Sequence, residues 1–482
     1  MALKDDVAKI VGEGNVSDAK KDRLMYSRDY SLVPPGIPDA VAYPSDSLQV
    51  SAILKYCNSK NIPVVPVSSS RHFYGSTIPK QGGLLVDLTR MNNIQEINDA
   101  DRTARIEAGV TWGQLTAELE KKGMRMIMPL LPPADRSVLT DWLEREVPTN
   151  TVYDYGEPMQ AMEVVWPASE PFRIGSASVN GFPDSKSRGG NPSGPGLDFY
   201  RLVQGAQGTM GIVTWSHIKI EWMPKIDKIL FAPVSDLSYA IEFLHRILPR
   251  RIGQECMVLN NVDLAAILAE KWPDDFDRLA ATLPAWTLIL VISGLFRRPE
   301  EKIAYEEKFL KEVLRNEFRD LVLTDALPGF PGAARKLLPM LRKPWPADKP
   351  YWKHQWRGSS QSLFFIARPA SAPLFIDVVE EVAARHGYPI SEIGVYFQPI
   401  EHNRACQLEF TFFYHEDEAA VIAGLYRDAA QALMNEGAFF SRPYGELAPM
   451  VYERAAGYSA ALKRVKKVFD PKNIMNPGNL CF

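Results

Sequence analysis

The sequence predicts an α+β protein built from two or three domain-sized units. Three observations support this prediction: helix and strand patterns alternate along the chain, the composition is globular, and 482 residues exceed what one hydrophobic core usually organises. Hydrophobic residues make up 46% of the chain and charged residues 23%, which excludes an intrinsically disordered protein. We therefore expect the chain to fold throughout.

The charge balance argues against a nucleic acid or an anionic membrane as the partner. The chain has 55 Lys and Arg against 58 Asp and Glu, a formal net charge of −3, and no dense basic run. Binding to polyanions normally needs such a run. A small-molecule substrate is the expected partner.

The cysteines and the hydropathy pattern favour a cytoplasmic protein. Cys57, Cys256, Cys406 and Cys481 are far apart and form no CxxC pair, so neither a disulfide framework nor a zinc site is expected. The longest apolar run, residues 285–296, is much shorter than the about 20 residues that span a bilayer. The N-terminus is charged and has no apolar signal core.

Periodic patterns predict the elements of the first half in order. A helix begins at Ser45 or Asp46 and leads into a Val-rich strand after Pro63, and further strands cover residues 84–88 and 103–108. Thr111 and Gln114 form a capping pair for the next helix, which Gly123 terminates. Residues 181–196 form a loop rich in Gly and Pro.

A second domain is expected beyond Pro224. The patterns predict strands at 288–296, 393–400 and 407–414, helices at 299–316, 373–385, 418–435 and 460–469, and a loop at 338–356. Paired strands with helices on one face are the expected arrangement.

Most catalytic templates are missing from the sequence. It contains no GxxxxGK[ST] loop, no GxGxxG after a strand, no GxSxG and no HExxH. The seven His residues are scattered, and no pair has the i, i+4 spacing of helical metal ligands. We expect no bound metal.

One segment stands out, PVSSSRHFYGSTIP at residues 66–79. A strand ends there in three consecutive Ser residues and continues through a polar turn. Such a run can direct backbone N–H groups and hydroxyls at an anion. An ordinary hydrophilic turn is the alternative interpretation.

The chain resembles the flavoproteins of the vanillyl-alcohol oxidase and p-cresol methylhydroxylase (PCMH) type. The similar segments, in order, are residues 38–79, 82–119 (GGLLVDLTRMNNIQ onward), 137–147 (SVLTDWLEREV), 161–167 (AMEVVWP), 194–214 (GPGLDFYRLVQGAQGTMGIVT) and 470–478 (DPKNIMNPG). The resemblance implies a PCMH-type FAD-binding domain of two α/β subdomains at 1–223 and an α+β cap at 224–440 with an antiparallel sheet. Residues 441–482 would return to the FAD domain, and a homodimer is implied.

The resemblance also implies which residues hold the FAD. The loop would wrap the pyrophosphate, a second segment would follow the flavin, and a third would contact the adenosine. The implied residues are Ser68, Ser69, Ser70, Arg71, His72, Gly75 and Ser76 in the loop, Pro133, Ser137, Val138 and Thr140 along the flavin, and Gly208, Gly211, Ile212 and Val213 at the adenosine.

Covalent attachment of the flavin is not expected. Ser362 stands where the oxidase subgroup carries its tethering His, and a Ser cannot form that bond. His72 lies near the loop position at which other members of the wider superfamily attach FAD, so it remains the alternative tether.

In this family two Tyr and one Arg stabilise a phenolate. Tyr74 matches the first Tyr, whereas the adjacent Tyr-Arg pair is missing and Tyr444 and Arg442 stand near its place. For the acidic residue near flavin N5 the match is Asp154, with Glu157 as the alternative. Further side chains on cap segments that face the substrate in relatives are Gln398, Arg404, Gln407 and Glu409.

The leading functional hypothesis is hydride transfer from a benzylic or allylic carbon of a 4-hydroxyphenyl compound to flavin N5, through a quinone methide. An FAD-dependent dehydrogenase of 2-hydroxy acids is the alternative, because residues 204–214 resemble that branch more closely. A flavin-bearing electron-transfer scaffold is the third hypothesis. Oxygen, a cytochrome or another carrier would reoxidise the flavin.

Overall fold

The computed structural model describes residues 2–150, 158–179 and 190–482. These residues form three β-sheets and one two-stranded ribbon. Within the described residues, no helix combines the length and the apolar character that crossing a membrane would need.

The first sheet is small and mostly parallel. Its strands are β1 (Val16–Ser17), β2 (Ala40–Ala42), β3 (Val64–Val67) and β4 (Leu84–Asp87), and its helices are α1 (Ala2–Val11), α2 (Lys20–Met25) and α3 (Ser47–Lys60). The strand order is β1-β2-β4-β3, with β2 and β3 parallel to β4. Asp46 caps α3 by accepting a hydrogen bond from the Gln49 N–H, as an N-cap carboxylate should.

The second sheet is antiparallel. The region contains β5 (Ile94–Asn98), β6 (Thr103–Glu107), α4 (Trp112–Glu120), β7 (Met124–Arg125), α5 (Val138–Leu143), β8 (Met159–Val165), β9 (Phe172–Ile174), α6 (Tyr200–Val203), β10 (Ile212–Lys219) and β11 (Glu221–Trp222). The strand order is β5-β6-β10-β8-β9, and β7 pairs with β11. The predicted start of α4 is confirmed because Thr111 accepts from the Gln114 N–H. Gly123 adopts a φ of +66° after this helix, which is the left-handed conformation expected of it.

The third sheet has six antiparallel strands in the order β12-β14-β13-β16-β17-β15. The elements are β12 (Ile226–Val234), α7 (Leu237–Ile247), β13 (Glu255–Asn260), α8 (Asn261–Leu268), α9 (Asp274–Thr282), β14 (Trp286–Gly294), α10 (Pro299–Glu317), α11 (Ala333–Met340), β15 (Ser359–Ala367), α12 (Ala372–Arg385), β16 (Ile393–Ile400), β17 (Ala405–Tyr414) and α13 (Ala419–Asn435). Each predicted strand and helix of this domain has a counterpart within a few residues. The predicted loop at 338–356 begins instead inside α11 and contains a short 3₁₀ turn at Trp352–His354.

Helices cover both faces of this sheet, so the expectation of helices on one face was wrong. Leu288, Leu290 and Ile292 of β14 pack into the core formed with α7, α10, α12 and α13. Ile289 and Val291 of the same strand pack into the core formed with α8, α9 and α11. The unbroken apolar run of β14 is typical of a strand that is buried on both faces.

The C-terminal segment lies against the first sheet. After α14 (Leu447–Arg454) and α15 (Ala456–Phe469), Met475 forms a parallel bridge with Val64 of β3. Lys466 of α15 is buried, and its Nζ donates to the carbonyl oxygens of Thr209 and Met475 and pairs with Asp470 at 2.6 Å. This buried ion pair therefore ties the end of the chain to the loop before β10.

Replacing Lys466 with Met should destabilise the protein strongly. The Met side chain preserves the apolar stem but leaves the Asp470 carboxylate buried without its cation, at a cost of about 3–5 kcal/mol in the free energy of unfolding. Urea unfolding of both proteins measures the difference. Lys467→Met, at an exposed position of the same helix, is the control and should change stability by less than about 0.5 kcal/mol. Equal stability of the two variants would contradict the prediction.

Candidate functional site

A serine-rich loop (residues 68–76) follows β3 and lies directly against the start of α5. The hydroxyls of Ser68 and Thr140 are hydrogen-bonded to each other at 2.6 Å. The backbone N–H of Ser137 donates to Ser69 Oγ at 3.0 Å. Two chain segments that the sequence assigns to one ligand are therefore adjacent and joined through their own small side chains.

The buried side chain of Arg136 also joins the two segments. Its side chain is 2% exposed and pairs with both Asp141 and Glu144. Its Nη1 also donates to the carbonyl oxygen of Arg71 at 2.8 Å, and Arg71 Nε donates to Asp135 at 2.8 Å. Ser70 Oγ donates to the Asp135 carbonyl at 3.2 Å. Neither Arg136 nor its two carboxylate partners was predicted as part of the site.

A cavity of about 90 Å³ lies on one side of this junction. Seven predicted cofactor residues line it, and they are Ser68, His72, Ser76, Thr140, Gly208, Ile212 and Val213. Two buried polar atoms near it, His72 Nδ1 and Asn476 Oδ1, have no hydrogen-bond partner among the described residues. Unpaired buried polar atoms are costly, so their presence favours a polar ligand here.

Three other predicted cofactor residues are closely packed against neighbouring chain segments. Val138 is fully buried in the core of the second sheet. A Cβ on Gly211 would come within 2.8 Å of the Trp166 ring, and one on Gly75 would come within 2.2 Å of Val33. These two glycines permit close packing of neighbouring chain segments.

A second cavity of about 60 Å³, called the inner cavity here, lies between the first domain and the third sheet. From the first domain come Phe73, Tyr74, Pro129, Leu130, Pro132, Pro133, Arg136, Asp141, Glu146 and Val147, and from the second come Tyr351, Trp352, Lys353, Tyr396, Gln407 and Glu409. Aromatic rings and charged groups thus surround a small enclosed space.

The three predicted substrate residues come together beside this cavity. The rings of Tyr74 and Tyr444 stack with centroids 4.7 Å apart. The Tyr74 hydroxyl donates to Glu146 Oε1 at 2.7 Å, and Arg442 Nη1 approaches the same oxygen at 2.9 Å. The Arg442 guanidinium lies 4.1 Å from the centre of the Phe364 ring. The Tyr444 hydroxyl is buried and has no partner among the described residues.

A hydrogen-bond network continues from Arg442 across the third sheet. Arg442 Nη2 donates to Gln407 Oε1 at 3.0 Å, and Gln407 Nε2 donates to Glu409 Oε2 at 3.3 Å. Lys353 Nζ pairs with Glu409 and donates to Ser362 Oγ at 3.0 Å. Gln407 and Glu409 therefore line the inner cavity together with Lys353, which no sequence pattern predicted.

Two further predicted residues, Gln398 and Arg404, do not line the inner cavity. Gln398 is buried behind the cavity-lining Tyr396, whose hydroxyl donates to Gln398 Oε1 at 2.6 Å, and its Nε2 donates to the carbonyl of Cys256 at 3.1 Å. Arg404 has a side chain that is 80% exposed, so it does not reach the site. Asp154 and Glu157 lie outside the described residues.

Burial and ion pairing set the charges of the site. Burial raises the pKa of Glu144 to about 7, although Arg136 opposes the rise. Burial also acts to raise the pKa of Glu146, but Arg442 and the Tyr74 hydroxyl outweigh it, and the pKa lies below the ordinary value. Burial and the charge of Arg136 lower the pKa of His72 to about 3, so this imidazole is neutral.

The carboxylates of Asp141, Glu144 and Glu146 lie within 4.8 Å of one another. Such a trio has the spacing of a metal site. Arg136 pairs with the first two and Arg442 with the third, so each of the three carboxylates already has a guanidinium partner.

The junction fits the FAD that the resemblance implies, provided that its two segments separate. The Ser68, Ser76 and Thr140 hydroxyls and the His72 ring offer hydrogen bonds to a diphosphate. The cavities of about 60 and 90 Å³ are far smaller than the about 300 Å³ of typical ligand sites, whereas a cavity of about 560 Å³ also borders Ser69, Ser70 and His72. Binding at the junction itself would exchange the hydroxyl contacts across it for contacts to the ligand.

Two family descriptions match the sequence. Residues 38–133 match the "FAD binding domain", and residues 447–480 match "FAD linked oxidases, C-terminal domain". The glycolate oxidase subunit GlcD of Bacillus subtilis (strain 168) is 23% identical over 507 aligned positions, covering 99% of this chain and 96% of the relative.

Solved structures show the same fold. The crystal structure of p-cresol methylhydroxylase with substrate bound superposes with a TM-score of 0.84 at 18% identity and covers 100% of this chain and 96% of that one. The 4-ethylphenol oxidase from Gulosibacter chungangensis in complex with isoeugenol has the same TM-score and identity, covering 99% of this chain and 96% of that one. At this identity the likeness concerns the fold.

Asp263 carries a buried carboxyl group near the Lys353–Glu409 pair of the third-sheet region. Asp263 of α8 is fully buried, and the Thr411 hydroxyl is the polar side chain closest to serving as its hydrogen-bond partner. Burial raises its pKa to about 7, while the charge of Lys353 opposes the rise. The folded protein therefore favours the protonated form.

This carboxyl group should make stability depend on pH. Because the folded pKa exceeds the unfolded value of about 3.9, its stabilising contribution is complete below about pH 4 and is lost as the pH rises through 7. Relative to Asp263→Asn, the wild type should lose about 4 kcal/mol of unfolding free energy between pH 4 and 8. Urea unfolding at several pH values measures this difference. Asp274→Asn, at an exposed position, is the control and should follow the wild type, and parallel profiles for all three proteins would refute the assignment.

Proposed function

We propose that this FAD-linked oxidoreductase oxidises a para-substituted phenol, on the basis of its matches to the FAD-binding and FAD-linked oxidase descriptions and of its PCMH-type fold. The reacting carbon would be benzylic or allylic to the 4-hydroxyphenyl ring. Bound FAD supplies the acceptor for a hydride, that is, two electrons and one proton. Loss of the hydride and of the phenolic proton leaves a quinone methide, to which water can add.

One observation carries this proposal. The Tyr74 hydroxyl and the Arg442 guanidinium converge on a single anionic oxygen, Glu146 Oε1, at 2.7 and 2.9 Å. A phenol has a pKa near 10, and a hydrogen-bond donor and a cation that meet at one oxygen favour its anion. The stacked ring of Tyr444 adds a second hydroxyl without a partner among the described residues. This is the donor arrangement that a phenolate oxygen requires.

The pairing of charges bears on both candidates. Three cations at or beside the inner cavity each have a carboxylate partner: Arg136 with Asp141 and Glu144, Arg442 with Glu146, and Lys353 with Glu409. An anionic substrate group, phenolate or carboxylate, would have to share one of these cations with its partner, because an unpaired buried charge is costly. The similarity to the glycolate oxidase subunit supports the second candidate, a 2-hydroxy-acid dehydrogenase.

An anaerobic substrate screen decides between these functions. The purified protein should be yellow, and its flavin should bleach with 4-hydroxybenzyl alcohol. Bleaching with D-lactate or glycolate alone would establish the second candidate. A yellow protein that no substrate bleaches would support the electron-transfer scaffold.

We expect the flavin to be bound noncovalently. Ser362 accepts a hydrogen bond from Lys353 and has no nucleophilic ring nitrogen. The Nε2 of His72 lies 2.9 Å from the Ser69 carbonyl oxygen, which leaves Nδ1 as the ring nitrogen at which His72 could be attached. Acid precipitation should release the flavin into the supernatant, where its absorbance is measured. A washed pellet that stays yellow would point to His72 as the tether.

Tyr74→Phe tests the phenolate site directly. The variant removes one hydroxyl and preserves the ring stack with Tyr444, so the flavin spectrum should persist. The kcat/KM for 4-hydroxybenzyl alcohol should fall by about tenfold or more, which corresponds to losing a hydrogen bond to a charged group. Tyr458→Phe, at a position that is 66% exposed, is the control. Unchanged kinetics in Tyr74→Phe would leave that ring with a packing role only.

The carboxylate near flavin N5 is proposed on sequence grounds. Asp154, with Glu157 as the alternative, would receive or stabilise a proton during the reaction. The electron acceptor, oxygen or a carrier such as a cytochrome, and the homodimer are likewise proposals that follow from the resemblance.

A further inference from the structure

A cavity of about 690 Å³, called the edge groove here, lies beside β12, the first strand in the order of the third sheet. Its walls are residues 227–230 of β12, α10, residues 323–325 and α11. It shares no lining residue with the inner cavity or with the cavity at the serine-rich loop. The edge groove is therefore separate from the proposed cofactor and substrate sites, and its role does not depend on the proposed function.

The backbone of β12 directs hydrogen-bonding groups into this groove. Phe231 exchanges backbone hydrogen bonds with Thr324, at 2.7 and 3.0 Å, so its N–H and C=O point away from β14. Along an antiparallel strand, every second residue directs its N–H and C=O to the same side. The N–H and C=O of Ile229 and Asp227 therefore point to the outer side as well, where these two residues line the groove.

Two observations support this assignment of sides. The carbonyl of Val291, which lies opposite Ile229, accepts from the Gln254 N–H on the far side of β14 at 2.7 Å. Pro233, two residues beyond Phe231, has no N–H, and a strand tolerates Pro where the N–H would face away from the sheet. The chain already pairs with this edge at Phe231, so a further extended segment would continue the same line of pairing.

Apolar side chains border the groove on both faces of the sheet. Leu230, Leu310 and Leu314 line it on the α10 face, and Ile229 and Leu338 line it on the α11 face. Three of these leucines are only half-buried, so part of their apolar surface is still open. Successive side chains of an extended strand point to opposite faces. A strand with apolar residues at successive positions would therefore bury both rows.

The charges at the groove favour acidic groups on its occupant. Lys311 of α10 and Arg335 of α11 are exposed, and neither has an ion pair within the part of the chain that the structure describes. Asp325 is a lining carboxylate in the same condition, so these three charges sum to one positive charge. The other charged side chains at the groove form pairs, Lys228 with Glu307 and Asp227 with Arg342.

We propose that the edge groove binds an extended peptide segment of a partner protein, which adds a strand to the third sheet beside β12. Main-chain hydrogen bonds to Asp227 and Ile229 supply affinity, and the two apolar rows select the side chains. The central residues of the segment are apolar, and acidic residues at its ends lie near Lys311 and Arg335. A fatty acid would cover the apolar rows but would offer no donor to the two carbonyl groups.

The probe is a fluorescein-labelled peptide, Asp-Leu-Val-Ile-Val-Leu-Asp, titrated with the FAD-loaded protein while its fluorescence anisotropy is followed. Binding should saturate with a Kd below about 1 mM. Two analogues test the strand pairing, one with N-methyl groups on both Val residues and one with N-methyl groups on Leu, Ile and Leu. Because only alternate N–H groups of an added strand face β12, one analogue should bind at least about tenfold more weakly and the other should match the parent peptide.

Variants of the protein locate the binding site. Ala334→Phe fills the groove and should weaken binding at least about tenfold, whereas Ala420→Phe makes the same change at an exposed position of α13 and should have no effect. Lys311→Glu combined with Arg335→Glu should weaken binding about fivefold, and a peptide with Asn in place of Asp should lose this sensitivity.

The control for the charge reversal is Lys308→Glu combined with Arg315→Glu. Both residues are exposed on α10 and do not line the groove, so this variant should bind like the wild type. Hydrogen exchange gives a second readout. The amides of Asp227 and Ile229 should exchange more slowly when the peptide saturates the protein, while those of Lys228 and Leu230, which face β14, should not change.

Three outcomes would overturn the inference. Equal binding of the parent peptide and both methylated analogues would show that no strand is added to β12. Binding of dodecanoate at this groove, with no saturation by the peptide below about 1 mM, would assign the groove to amphiphiles instead. A wild-type dimer in sedimentation that Ala334→Phe converts to a monomer would show that a second copy of the chain covers this edge.

Discussion

The buried ion pair between Arg442 and Glu146 is the constraint on which the rest of the site depends. The two side chains are 2% and 14% exposed, so neither charge can turn to solvent. The same guanidinium donates to the Glu144 carbonyl and to Gln407 of β17. One cation thereby joins the C-terminal segment, the chain that follows α5 and the third sheet. Because breaking a buried pair costs several kcal/mol, the relative positions of these three segments are well determined.

The serine-rich loop holds two chain segments together and also carries the hydroxyls that could bind a diphosphate. The hydroxyls of Ser68 and Thr140, which could bind a diphosphate, are hydrogen-bonded to each other. Arg136 and its two carboxylate partners fill the rest of the junction. These contacts stabilise the protein in this conformation. Cofactor binding would have to replace them, and each hydroxyl that is released can donate to a phosphate oxygen at little net cost. Affinity for the cofactor is then a difference between two sets of hydrogen bonds.

Sequence similarity and structural similarity point to different substrates. The glycolate oxidase subunit is similar in sequence, and the phenol-oxidising enzymes are similar in fold. Neither likeness alone identifies the substrate, because one fold carries many sites. In this chain Lys353 pairs with Glu409 and Arg442 pairs with Glu146. An anion that binds here, phenolate or carboxylate, would therefore have to share a cation with its carboxylate partner.

The sequence by itself determined the elements whose signals are local. Asp46 and Thr111 start helices through a side chain that accepts a hydrogen bond three residues on, and Gly123 ends one by adopting a positive φ. The resemblance of ordered segments also located the serine-rich loop and Tyr74. Local signals of this kind depend on neighbours within a few residues, so they can be read without a structure.

Only the tertiary structure decided which charges meet. Tyr74 and Glu146 are 72 residues apart, and Lys353 and Glu409 are 56 apart, so no spacing rule connects them. Tyr444 and Arg442 depart from the family's adjacent pair, yet the fold brings both to Tyr74. No sequence pattern predicted the burial of Asp263 or the second helical layer on the third sheet. Pairing and burial are properties of three-dimensional packing, and packing joins residues without regard to their separation in sequence.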